Sequence, residues 1–148
     1  MVKYDDASWH YDGEFPEGLP RSAAATHIGM FLTWCVLADL ASEELLDDAG
    51  EDVAQLMQRE ITPGAFILLL DGALVDDQLD EEGNAFAVAY YAGEDDDSPY
   101  VDDYVDVFDE DAEEIYEVAD SWSNFDRIAP HIRERFDGWR AAGSPSYL

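Results

Sequence analysis

A single cysteine, Cys35, leaves this 148-residue chain without an intrachain disulfide and without a pair of thiolates to hold a metal. Cations are almost as scarce. One lysine, Lys3, and six arginines face 36 acidic residues, giving a formal net charge of -29 and a sequence pI near 4.1. A surface this negative repels phosphate, which argues against direct binding to nucleic acid or to anionic lipid headgroups. A basic protein is its natural complement.

Recognised catalytic signatures are missing too. The chain has no glycine-rich phosphate loop, no GxSxG nucleophile turn and no HExxH pair. The stretch from Asp76 superficially resembles a calcium loop, but its sixth position is Glu81 rather than Gly and its twelfth is Ala87 rather than Glu. His10, His27 and His131 stand far apart with no ligand spacing, so they read as isolated polar or core histidines. With 36 carboxylates, an accidental acid–base pair has no evidential weight. The sequence therefore predicts no catalytic residues, no metal and no cofactor, and a melting temperature indifferent to chelators. Cys35, between Trp34 and Val36, reads as core packing.

No apolar run in Met1 to Tyr11 could serve as a signal-peptide core, so a cytoplasmic protein is expected. The longest uncharged stretch, Ser22 to Ala38, contains Ser22, Thr26, His27, Gly29 and Thr33. It reads as a buried helix rather than a membrane span.

What the chain does have is apolar surface. Hydrophobic residues make up 47% and aromatics 13%, too many for an acidic disordered tail. The pattern predicts an all-α fold, a compact single-domain bundle of five to seven helices over residues 1–148, with an aromatic N-terminal segment at 1–20 and a flexible tail at 143–148. A helix over Ser22 to Ala41 is apolar on nearly all sides and is the expected centre. Thr62 and Pro63 form an N-cap and first-turn proline for a helix ending at Asp71 and Gly72. Asp76 to Tyr91 reads as one helix, with Gly83 as a point at which it can divide, Tyr100 to Glu117 as another, and Ile115 to Val118 as either helix or strand. Ile128, Ile132, Phe136 and Trp139 mark the inner face of a last helix over Asp126 to Trp139.

The charge is unevenly placed. From Glu60 to Asp126, 67 residues hold 22 acids and no lysine or arginine. On a helix from Tyr100 the acids would fall four apart, repelling one another by about 0.2–0.5 kcal/mol per pair. Such a block suits an inhibitor that fills the basic cleft of a nucleic-acid-cutting toxin with carboxylates in place of phosphates. The candidate contacts are Asp102, Asp103, Asp106, Glu110 and Glu113, with Tyr100 as an aromatic anchor. Tyr104 is a weaker candidate because the core competes for it. Two other readings stand beside this one: an acidic surface of salt adaptation, and a small-ligand or metal-binding enzyme.

The segments KYDDASWHY (Lys3 to Tyr11), ATHIGMFLTW (Ala25 to Trp34), ITPG (Ile61 to Gly64), EGNAFAVAYY (Glu82 to Tyr91) and ADSWSNFDR (Ala119 to Arg127) resemble a family of small, uncharacterised, acidic bacterial proteins. The resemblance covers most of the chain and carries over no catalytic residue. In size and acidity the chain is also similar to immunity proteins that protect bacteria from their own antibacterial toxins. That likeness implies a bacterial source and a cognate toxin as partner.

Overall fold

A computed structural model of the chain describes residues 3–11, 18–92, 98–109 and 115–145. The described residues are mostly helical, with one two-stranded sheet. Strand β1 (Lys3–Asp6) leads into the short helix α1 (Ala7–Tyr11), and a 3-10 turn (Arg21–Ala25) opens α2 (Thr26–Leu37). Then come α3 (Glu43–Asp48), α4 (Gly50–Met57), α5 (Pro63–Leu68), strand β2 (Ala73–Val75), α6 (Glu81–Phe86), α7 (Pro99–Phe108) and α8 (Trp122–Ala141). No described helix is long and apolar enough to cross a membrane.

Helix α2 is the centre, as its composition demands: every residue from Thr26 to Val36 is buried. It approaches α5 so closely that a Cβ on Gly29 would lie 2.2 Å from the Pro63 carbonyl oxygen. Only glycine allows that contact. α2 ends where Asp39 takes a left-handed φ of 64° and the Leu40 amide donates back to the Cys35 carbonyl. Around α2 packs an aromatic cluster in which Phe31 meets Phe86, Tyr91 and Tyr100, and Trp34 meets Phe86 and Phe136. Each such side chain, fully buried, contributes about 1.5–3 kcal/mol of transfer free energy.

Caps fix several boundaries. The Thr62 hydroxyl accepts from the Ala65 amide at the start of α5, with Pro63 in the first turn as expected. Asp120, 56 residues further on, accepts from the Gly64 amide at 2.9 Å and from the Thr62 hydroxyl, tying the entry to α8 onto α5. Ser98, Asp80 and Ser121 cap α7, α6 and α8 in the same way.

The helical architecture is as expected, and one small two-stranded sheet is added to it. β1 pairs antiparallel with β2, Asp5 opposite Leu74 and Asp6 opposite Ala73, with an irregularity between Lys3 and Asp5. Neither strand is long enough to show an alternating pattern in the sequence. The helix expected from Asp76 to Tyr91 is also broken, at Leu79 and Asp80 rather than at Gly83. Leu79 is extended and bridges Ala41, and Asp80 accepts from the Gly83 amide to start α6. Gly83 is needed there because a Cβ would meet the Leu40 carbonyl at 2.8 Å. α6 runs on as a π-helical segment, Ala87–Ala92, that turns Tyr90 and Tyr91 into the core. α7 ends at Phe108, and Ile115–Glu117 forms a 3-10 turn.

Candidate functional site

Strand β1 turns Asp5 inward, where it is 6% exposed. Asp6 then accepts from the Ser8 amide and hydroxyl, starting α1 so that His10 folds back over Asp5. His27, in the first turn of α2, reaches the same point from the core side. One ligating atom from each of Asp5, His10 and His27 lies within 4.8 Å of the others.

The geometry is specific. His10 Nε2 is 2.7 Å from Asp5 Oδ1, and its Nδ1 is 2.7 Å from the Tyr116 hydroxyl. The Tyr91 hydroxyl donates to Asp5 Oδ2. His27 Nε2 is 3.3 Å from that same oxygen, but the approach is not aligned for a hydrogen bond. Among the described residues His27 Nδ1 has no partner, nor does the buried Tyr104 hydroxyl on the neighbouring ring. The His10 and His27 rings meet edge to face, with centroids 4.7 Å apart.

Burial alone would raise the Asp5 carboxyl pKa, but the two imidazoles beside it outweigh burial and hold it well below the usual carboxylate range. Asp5 is therefore ionised. Burial pushes His27 below its ordinary value, only partly offset by Asp5, so its ring is neutral. Burial, reinforced by the Asp5 charge, keeps the Tyr91 phenol protonated as a donor. An ionised carboxylate, two imidazoles and a ring of phenols can bind a cation or relay a proton.

Two of the three histidines read as isolated are thus neighbours. Their separation along the chain carried no ligand spacing, and only docking of β1 and α1 against α2 joins them. His131 remains apart, exposed on α8. The one sequence signal for the cluster was His27 itself, an imidazole inside a 17-residue uncharged stretch, where burial requires a polar partner.

The residues expected to meet a partner divide. Asp102 and Asp106 are exposed on the outer face of α7, with Val105 between them and Asp109 at its end. Tyr100 is fully buried, its hydroxyl donating to the His27 carbonyl at 2.6 Å, so it is not an exposed anchor. Asp103 is 9% exposed and held by Arg135 and Tyr90, which removes it from the outer face as well. Helical periodicity explains both corrections: positions 100, 103, 104 and 108 share the inner stripe that buries Tyr104 and Phe108. Glu110 and Glu113 lie outside the described residues.

Residues 3–118 match the family described as Domain of unknown function (DUF7832). The chain belongs to this family. The matched region of this DUF7832 protein contains Asp5, His10, His27, Tyr91 and Tyr116. It stops before α8, although Ile128, Ile132, Phe136 and Trp139 of that helix are buried in the same core. No curated protein and no solved structure matches the chain.

Proposed function

We propose that this DUF7832 protein captures a basic protein partner, as an immunity protein neutralising an antibacterial toxin whose cleft binds nucleic acid. The observation that carries the reading is the outer face of α7. Asp102, Asp106 and Asp109 lie along it beside the half-exposed Val105, while the helix's other carboxylate, Asp103, is turned inward to Arg135. From Glu60 to Asp126 the sequence holds no lysine or arginine, and the Arg127 guanidinium of α8 donates to the Val107 carbonyl on α7. Arg59, Arg135 and Arg140 are engaged with Asp126, Asp103 and Glu82. A cationic cleft would screen the repulsion and form charge-assisted hydrogen bonds, with attraction speeding capture toward about 10⁸–10⁹ M⁻¹s⁻¹ at low salt.

The test uses the purified product of a toxin-like reading frame adjacent to this gene. Replacing Asp102, Asp106 and Asp109 together by Asn should slow association by about tenfold or more and flatten its salt dependence. Unchanged kinetics in a variant with native circular dichroism removes α7 as the interface. A wild-type chain that neither binds nor protects against that toxin removes the immunity reading.

A further inference from the structure

The Asp5–His10–His27 cluster has a feature that packing alone leaves unsatisfied. His27 is 1% exposed, yet among the described residues neither ring nitrogen has a hydrogen-bond partner, and Nε2 stands 3.3 Å from a carboxylate oxygen. Polar atoms buried without partners lose their hydration with nothing in return. We propose that Asp5, His10 and His27 form a binding site for one divalent transition-metal cation of the zinc class.

The donor set selects that class. Two imidazole nitrogens and one carboxylate oxygen suit zinc and its first-row neighbours, whereas calcium takes six to eight oxygens and magnesium prefers an octahedron of oxygens. Ligands about 2.0–2.1 Å from one zinc ion stand about 3.3 Å apart in a tetrahedron. His27 Nε2 and Asp5 Oδ2 are already at that separation, His10 Nε2 stands 2.7 Å from the other carboxylate oxygen, and one donor from each residue lies within 4.8 Å of the others, a spread that side-chain adjustment around one ion closes. Three protein donors leave a fourth position for water, the arrangement of an open rather than a closed zinc site.

The surrounding groups support the ligands. Tyr91 orients Asp5 from one side, and the Asp6 amide donates to Asp5 Oδ1 from the other. Without a cation, ionised Asp5 requires the His10 proton on Nε2, leaving Nδ1 to accept from Tyr116. With a cation on Nε2 the proton moves to Nδ1, and the Tyr116 oxygen accepts it at the same 2.7 Å. Ligating histidines are characteristically held by such an outer hydrogen bond. His10, with its side chain 23% exposed, is the edge through which an ion could enter.

The experiment strips the full chain with a chelator and titrates it with Co²⁺, a spectroscopic stand-in for Zn²⁺, in millimolar Mg²⁺ to saturate surface carboxylates. The expected result is one Co²⁺ per chain with visible d–d absorption, displaced by Zn²⁺, and a melting temperature that Zn²⁺ raises. His10→Gln, at a partly exposed ligand, should bind about 100-fold more weakly, while the Asp102, Asp106 and Asp109 triple variant should bind like wild type. Should His10→Gln not fold, imidazole ¹⁵N shifts in the wild-type chain decide instead: Zn²⁺ must move two histidines and leave the third unchanged. Absence of the d–d band, equal affinity in folded His10→Gln, or ¹⁵N shifts that leave all three histidines unmoved overturns the proposal and leaves the cluster a structural polar network.

Discussion

The Asp103 carboxylate accepts from Arg135 Nε and Nη2, each at 2.9 Å, and from the Tyr90 hydroxyl at 2.6 Å. The fork binds α7 to α8 and gives the one acid on the inner stripe of α7 a matched cation. Arg135 is half exposed, so solvent screens part of the interaction. Arg135→Gln should destabilise the fold by about 1–2 kcal/mol in urea unfolding, leaving a nearly buried carboxylate with only Tyr90. A change within 0.3 kcal/mol would show the pair to be no more than a surface contact.

Two glycines should respond in opposite directions. Gly29→Ala drives a Cβ into the Pro63 backbone, which cannot yield without separating α2 from α5, and should cost at least about 2–3 kcal/mol. Gly138→Ala adds a methyl where no described residue lies within 4 Å, on a helix interior, and should stabilise by about 0.5–1 kcal/mol. Thermal unfolding of both variants is the check, and a tolerated Gly29→Ala would contradict the close helix contact.

Asp120→Ala should lower stability by about 1–2 kcal/mol, because the side chain supplies the acceptor for the Gly64 amide at the start of α5. Hydrogen exchange at Gly64 should quicken in the variant. Protection equal to wild type would assign that amide another acceptor.

Stability should fall as pH drops from 7 to 5 with a chelator present. Burial holds the folded-state pKa of His27 below its ordinary value, so the unfolded chain takes up a proton near pH 6.5 that the native chain resists. The contribution is complete above pH 6.5 and is lost at up to about 1.4 kcal/mol per unit below it. Asp5, depressed by its imidazole neighbours, acts in the same direction, with its loss beginning only below about pH 4. Denaturant midpoints that stay constant from pH 7 to 5 would contradict a neutral buried His27.

Cys35 should be inert in the native state. It is fully buried, and burial, with a contribution from Asp80, pushes its thiol well above the ordinary range. A disulfide reagent should modify it at the rate of unfolding. Rapid stoichiometric labelling of folded protein would show an opening into α2 that the packed core does not contain.

Composition and periodicity determined much of this protein. The uncharged run around Ile28 and Phe31 had to be interior, Thr62–Pro63 had to begin a helix, and Ile128, Ile132, Phe136 and Trp139 had to face inward, because each is a local consequence of burial or backbone geometry. The acidity of the surface was equally legible. Other features were settled only by contacts between distant segments. Lys3–Asp6 is a strand because Ala73–Val75 lies beside it, and two such short segments have no pattern of their own. Tyr100 and Asp103 turn inward because α7 presents that face to α2 and α8, a choice that charge counting along the chain cannot make. Asp5, His10 and His27 share one site because β1 and α1 fold back over the start of α2. Ligand spacing is visible in a sequence only when the ligands share one local element, and here three elements each contribute one.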